Sequence, residues 1–180
     1  MVDPIVFNGG ARGNWKVLRQ LSIKGAGLAS VTHLERGARV ATDAAWTLAG
    51  VNSNLRYTNA AEKRVLDATP SVLARPAATR AALIPITKSA AWWAMAQDER
   101  RAILEEKSRH IAIGNDYLAA VSRNLVHCRD QPGAEFDFLT WFEFKPQDEG
   151  LFDELLVKLR ATAEWDFVDR EVELRLERVS

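Results

Sequence analysis

The sequence predicts an α+β fold with antiparallel sheets, and three stretches carry that expectation. Residues 136–144 alternate strictly. Phe136, Phe138, Thr140, Phe142 and Phe144 point to one face, and Asp137, Leu139, Trp141 and Glu143 to the other, the period of two that a strand imposes. Phe152, Leu155, Leu156 and Leu159 then fall at i, i+3, i+4 and i+7, one apolar stripe of an amphipathic helix. Finally Val172, Leu174 and Leu176 alternate with Glu171, Glu173 and Arg175 as a closing strand.

Taken from the N-terminus, Ile5, Val6 and Phe7 form a short apolar strand, and Gly9, Gly10 and Gly13 mark a turn. Trp15, Val17, Leu21 and Ile23 share one period-two face, a second strand that ends near Gly25 and Gly27. Residues 40–55 are mostly apolar, broken by Asp43 and Gly50, and Trp46 and Leu48 sit as on one face of a half-buried strand. Asn59, with Glu62 three residues on, has the form of a capping box opening a helix to Ala68. Residues 70–80 hold Pro70, Pro76 and several small residues. They are the expected boundary between an N-terminal half, 1–75, and a C-terminal half, 76–180.

In the second half, residues 83–86 read as a short strand. Pro85 is expected at a sheet edge or strand end because proline cannot donate to a ladder. Ser89 caps a short helix carrying Trp92 and Trp93. Asp98 caps a longer one, with Ile103, Leu104, Lys107 and Ile111 near one stripe and Gly114 at its end or bend. Residues 117–126, which include Arg123, continue in a helical pattern. The half then runs strand, helices, strand, helix, strand, and the first half is a shorter version. This is the pattern of two ferredoxin-like halves, with no internal repeat visible in the sequence itself.

A chain of 180 residues can bury a sizeable core, and 47% hydrophobic with 27% charged residues is a globular composition. Lys plus Arg equals Asp plus Glu at 24 each, which leaves no global charge to draw nucleic acid or an anionic membrane. Cys128 stands alone, so an intrachain disulfide and a multi-cysteine zinc site are excluded. The first residues show neither a basic segment nor an apolar one, and no run approaches the ~18 apolar residues of a membrane span. The expectation is a cytoplasmic protein without nucleic-acid or membrane partners.

Phosphate-loop, dinucleotide and Gly-x-Ser-x-Gly motifs are absent, as is the Cys-x-x-Cys-His of covalent haem attachment. The histidines are His33, His110 and His127. On residue pattern alone His110 reads as an ordinary core or surface histidine, Arg123 as a solvated helix residue, and the aromatic strand as plain core. Lys88 reads either as a stem packed on Trp92 and Trp93 or as an anchor for a carboxylate ligand. Non-covalent haem through His110 stays open.

Several motifs in order change that reading. They are Ala82-Leu-Ile-Pro-Ile-Thr-Lys-Ser-Ala-Ala-Trp-Trp, Asp98-Glu-Arg-Arg-Ala-Ile, Lys107-Ser-Arg-His-Ile, Leu125-Val-His-Cys-Arg-Asp, Phe136-Asp-Phe-Leu-Thr-Trp-Phe-Glu and Glu164-Trp165, with Arg56-Tyr57 and Glu62-Lys63 upstream. Together they cover most of the chain, which resembles the chlorite dismutase family, most of all its short, dimeric branch. The resemblance implies a homodimer of the dimeric α+β barrel fold with one haem b per subunit in the C-terminal half. It implies His110 as proximal iron ligand, with Glu164 accepting a hydrogen bond from its other ring nitrogen, and Arg123 as the distal residue. Lys88, Trp92, Tyr57 and Asn52 or Asn54 are implied beside the propionates, and Ile84, Thr140 and Phe142 along the pocket wall. The implied reaction turns chlorite, a small anion, into chloride and dioxygen, with a hypochlorite intermediate held by Arg123.

The related coproheme decarboxylases carry a radical-forming tyrosine in a Tyr-Pro-Met-x-Lys motif, whereas the matching stretch here is Ile84-Pro85-Ile86-Thr87-Lys88. Isoleucine forms no phenoxyl radical. Peroxidase-like or coproheme-related chemistry, and non-catalytic haem binding on the same fold, are the alternatives.

Overall fold

In a computed structural model, residues 3–69 and 72–179 are described; Pro70 of the expected boundary lies outside them. They form eight strands: β1 (Ile5–Gly10), β2 (Trp15–Lys24), β3 (His33–Gly37), β4 (Trp46–Asn52), β5 (Arg80–Lys88), β6 (Val121–His127), β7 (Phe138–Phe144) and β8 (Val168–Arg178). All neighbouring pairs are antiparallel, and they close into one barrel in the order β1-β3-β2-β8-β5-β7-β6-β4. The first four strands occupy one arc and the last four the other, and each arc has the same internal order, fourth-first-third-second. The antiparallel α+β architecture expected from the sequence is therefore present.

Helices distinguish the arcs. In the second, α2 (Ala90–Ala94), α3 (Gln97–Arg101) and α4 (His110–Asp116) lie between β5 and β6, and α5 (Glu149–Arg160) between β7 and β8. Strands of the first arc are joined by loops, and α1 (Ala60–Ala68) follows β4. The capping box at Asn59 forms: Glu62 N–H donates to the Asn59 side chain, and the Glu62 carboxylate accepts from Asn59 N–H at 2.8 Å.

The barrel interior is filled by Phe7, Trp15, Leu34, Leu83, Leu139, Trp141 and Leu174. Trp141 is fully buried and meets Trp15 edge-on at 5.2 Å. On the outer face of the second arc, Phe142 and Phe144 pack against Phe152 of α5 at 5.0 and 4.6 Å. Both faces of β7 are thus buried, one in the barrel and one under a helix. That explains its uninterrupted run of large side chains.

Five expectations are corrected. Gly9 and Gly10 belong to β1 rather than to a turn, and Gly9 is needed because the Trp46 ring fills the space of a Cβ. Strand β3 was not foreseen, since Leu34 is its one fully buried residue. Pro85 lies inside β5, between β7 and β8. A closed barrel has no edge, and the missing N–H falls where the β5–β8 ladder skips from Leu83 to Ile86. The helix expected from Asp98 starts at Gln97, with the Glu99 carboxylate accepting from Ala96 N–H. It then passes into a π-helical stretch, Ala102–Lys107, and breaks before α4. Finally, residues 121–127 are strand β6 and not helix, which alters the setting of Arg123.

The barrel closes at a short seam where β4 meets β6 through Val51–His127 and Asn52–Val126. A Cβ at Gly50 would strike the His127 carbonyl, so only glycine lets these backbones approach. Gly50→Ala is expected to cost about 1–3 kcal/mol through forced backbone displacement, read as a lowered urea midpoint at unchanged slope.

Candidate active site

Helix α4 owes its start to an unusual approach. The preceding stretch carries an i→i+5 bond from Ser108 N–H to the Ile103 carbonyl at 3.2 Å, and Arg109 adopts a left-handed conformation at φ 54°. The Glu105 carboxylate then caps α4, accepting from Ile111 N–H at 2.6 Å and Ala112 N–H at 3.3 Å. These constraints fix His110 as the first residue of the helix.

Glu164 meets His110 from a 3-10 turn, Ala163–Phe167, with its own N–H donating to Ser108 Oγ at 2.9 Å. The carboxylate is 3% exposed. Its Oε2 lies 2.5 Å from His110 Nδ1 and its Oε1 accepts from Lys88 Nζ at 2.6 Å. Burial by itself would raise the Glu164 carboxyl, but the charges and hydrogen bonds of His110 and Lys88 outweigh it and hold it at about 2. An ionised carboxylate only accepts, so Glu164 holds a proton on His110 Nδ1, and in the neutral form of the ring that tautomer leaves the lone pair on Nε2. Lys88, also buried, stands 4.5 Å over the Trp92 ring and 5.6 Å over Trp165.

The facing wall is the outer surface of the second arc. Register places Ile84 of β5 and Leu125 of β6 on either side of Thr140 of β7, and Arg123 beside Phe142. Between this wall and the helices lies a cavity of about 1040 Å³ including its mouth, closed behind by Leu155, Leu156 and Leu159 of α5. Both His110 of α4 and Arg123 of β6 line it. Arg123 is half-buried, and burial pushes its guanidinium downward while Glu105 opposes that. The guanidinium reaches α4, with Nη2 3.5 Å from Asn115 Oδ1 and Nη1 in the space a Gly114 Cβ would take. Gly114→Ala is expected to displace the flexible end of Arg123 with little loss of stability, while kcat/KM falls roughly tenfold; steady-state kinetics beside a melting curve checks this.

Two further donors point to a ligand. Tyr57 Oη and Trp92 Nε1 are buried without a hydrogen-bond partner among the described residues, and both residues line the cavity, their rings edge-on at 6.1 Å. The other sequence candidates fall out as follows. Asn54 lines the cavity, but its Oδ1 accepts from Leu125 N–H at 2.7 Å and from Asn124 at 3.2 Å. Asn52 does not line it and accepts from Asn124 at 3.2 Å. The ammonium of Lys88 is directed at Glu164. Sequence reasoning missed Glu105, Ser108 and a cavity role for Arg56, whose cation sits in a turn and carries no pattern.

These residues fit a haem. One imidazole, held by Glu164 through Nδ1, lines a largely apolar cavity, and two orphaned donors await acceptors. Among the described residues no cluster of three His, Cys, Asp or Glu could hold a bare metal ion.

The family described as chlorite dismutase matches residues 29–177. The crystal structure of a dimeric chlorite dismutase from Nitrobacter winogradskyi is 50% identical, with a TM-score of 0.90, over 97% of this chain and 99% of that one. A mutant chlorite dismutase from Candidatus Nitrospira defluvii is 26% identical, with a TM-score of 0.58, over 81% of this chain and 56% of that one. The chlorite dismutase of the same organism in complex with imidazole is also 26% identical, with a TM-score of 0.57.

Proposed function

The chain belongs to the chlorite dismutase family, and we propose that it decomposes chlorite to chloride and dioxygen at a haem b held in this cavity, one per subunit of a homodimer. The observation that carries the proposal is the shared carboxylate of Glu164, which orients His110 at a cavity that Arg123 also lines. Both halves contribute: residues 76–180 supply the helices and the sheet wall, and the 1–75 half supplies Asn54, Arg56, Tyr57 and Thr58. Among the described residues no helix is long and apolar enough to cross a membrane.

When bound, the haem would supply oxygen-atom transfer from the chlorine oxyanion and back to it. The protein's part is to position and to retain. His110 would hold the iron through Nε2, and the proton it shares with Glu164 would make it a stronger donor. Lys88 pairs with the other oxygen of Glu164 at 2.6 Å and, after His110, helps to hold its carboxyl low. Arg123 is a permanent cation with a planar donor fork, suited to draw in chlorite and to hold hypochlorite until the O–O bond forms. Ile84, Leu125, Thr140 and Phe142 surround that step with a mostly apolar wall, which limits both water entry and escape of the oxidant.

Proton balance favours chlorite over peroxide. Chlorite rearranges to chloride and dioxygen with no net proton or electron change. Hydrogen peroxide needs a base. Among the described cavity residues the carboxylate is Glu164 and the histidine is His110, both already engaged with each other. Ile84 likewise leaves no radical tyrosine at that position. The test is to load the protein with haem, record a five-coordinate high-spin ferric spectrum, and compare chlorite with hydrogen peroxide. Rapid consumption of chlorite and slow consumption of peroxide are expected; the reverse order rejects the reading.

A further inference from the structure

Strand β8 buries two carboxylates that no step of the proposed reaction uses. Glu171 and Glu173 alternate with Val172 and Leu174 of the barrel interior, so they lie on the outer face, where alternation alone would leave them in water. They are instead 1% and 2% exposed. Arg160, the last residue of α5, spans them. Its Nε and Nη2 donate to Glu171 Oε1 at 2.9 and 2.6 Å, and Nη2 also donates to Glu173 Oε2 at 2.7 Å. Glu173 is satisfied again by Arg175 Nε at 2.6 Å and Arg19 Nη2 at 2.9 Å.

Glu171 differs from Glu173 in what its second oxygen holds. Oε2 accepts from the indole Nε1 of Trp165 at 2.9 Å. Trp165 lines the cavity, directly follows Glu164 on the same 3-10 turn, and packs against the cluster that includes Leu155, Leu156 and Leu159 of α5. With Nε1 drawn to β8, the ring is left to Lys88, whose ammonium stands 5.6 Å from its centre. Arg160, Glu171 and Trp165 thus form one chain of charge-assisted and ring contacts, from α5 and β8 to the relay of His110, Glu164 and Lys88.

We propose that Glu171, clamped by Arg160, is a positioning residue for the iron ligand: through Trp165 it sets how strongly Glu164 draws on the His110 proton. The proposal rests on the haem reading above. Its direction follows from electrostatics. A carboxylate on Nε1 makes the indole ring more negative and fixes its angle, so the ring shares in stabilising the Lys88 charge. Lys88 then pulls less on Glu164, and more of the carboxylate's basicity goes to His110. A loose indole returns that charge to Glu164 and weakens its hold on the histidine.

Three variants separate position from stability. Glu171→Leu removes the acceptor and leaves Arg160 to Glu173. Trp165→Phe keeps a ring and removes the N–H. Glu173→Leu breaks the same buried network but leaves Trp165 its acceptor. Two readouts are taken: the indole N–H resonances in a nitrogen–proton correlation spectrum, which need no haem, and the iron–histidine stretching frequency of haem-loaded ferrous protein. The resonance that vanishes in Trp165→Phe moves upfield in Glu171→Leu and stays in place in Glu173→Leu. The stretching frequency falls in Glu171→Leu and in Trp165→Phe and falls no further in the double variant. It keeps its wild-type value in Glu173→Leu, even where that variant melts lower. Haem affinity of Glu171→Leu drops by less than the ~10–100-fold expected for a direct partner of the ligand. A wild-type frequency in Glu171→Leu overturns the proposal. So does an equal fall in Glu173→Leu, which makes the effect one of stability alone. Wild-type protein that binds no haem rejects the haem reading and the proposal with it, and the N–H resonances still report whether Glu171 holds the indole.

Discussion

Glu164→Ala lowers the unfolding free energy by about 3–5 kcal/mol, the usual cost of stripping one member from a buried ion pair. The reason is what remains. Lys88 is 5% exposed, and its ammonium donates to Glu164 at 2.6 Å. With the carboxylate gone, its charge has neither water nor a partner. His110 suffers separately. Its Nδ1 proton loses its acceptor, the ring is free to turn, and Nε2 becomes a weaker donor, so haem iron is bound ~10–100-fold less tightly. Glu164→Gln separates the two effects. It removes the charge but keeps one carbonyl acceptor, and its amide turns a donor toward either the lysine or the histidine. Urea denaturation of apoprotein and the iron–histidine stretching frequency of loaded protein check both parts. Unchanged values in Glu164→Ala would mean that the relay has no structural or electronic role.

Arg123→Ala reduces kcat/KM for chlorite by about 10²-fold, comparable with removing one preorganised donor from a charged reaction centre. It also shortens the life of the enzyme. Without the guanidinium the cations that line the cavity among the described residues are Arg56 and Lys88, and Lys88 is paired with Glu164. Hypochlorite then leaves before recombination and attacks the porphyrin. Arg123→Lys restores charge but not the planar fork and recovers the rate in part. Initial rates, with a chlorination trap in the medium, report both effects. An Arg123→Ala variant with a wild-type rate and no trapped hypochlorite would remove the arginine from the mechanism.

How far the sequence reveals this depends on which faces an element buries. Strand β8, helix α5 and the capping box of α1 are legible because each has a periodic contrast or a local hydrogen-bond signature. Strand β6 is not, since five of its seven residues are buried on both faces and the alternation disappears. The consequence falls on the site. Read as helical, Arg123 belongs in solvent; on β6 it shares the cavity-facing side with Leu125. The break at Ser108–Arg109 is invisible for a different reason: a left-handed arginine and a π-helical stretch have no compositional sign. Residue pattern could not join His110 to Glu164, 54 positions apart, or Lys88 to Glu164, 76 apart. Family resemblance brought His110 and Glu164 together. The geometry adds Lys88 as the third member and shows the carboxylate shared between them.

The most direct test of the whole account is the dioxygen yield of haem-loaded protein given chlorite in isotopically labelled water. The account predicts one dioxygen and one chloride per chlorite, with both oxygen atoms unlabelled, because Arg123 and the apolar wall keep the oxidant from exchanging with solvent. No dioxygen, or dioxygen carrying label from water, would contradict it.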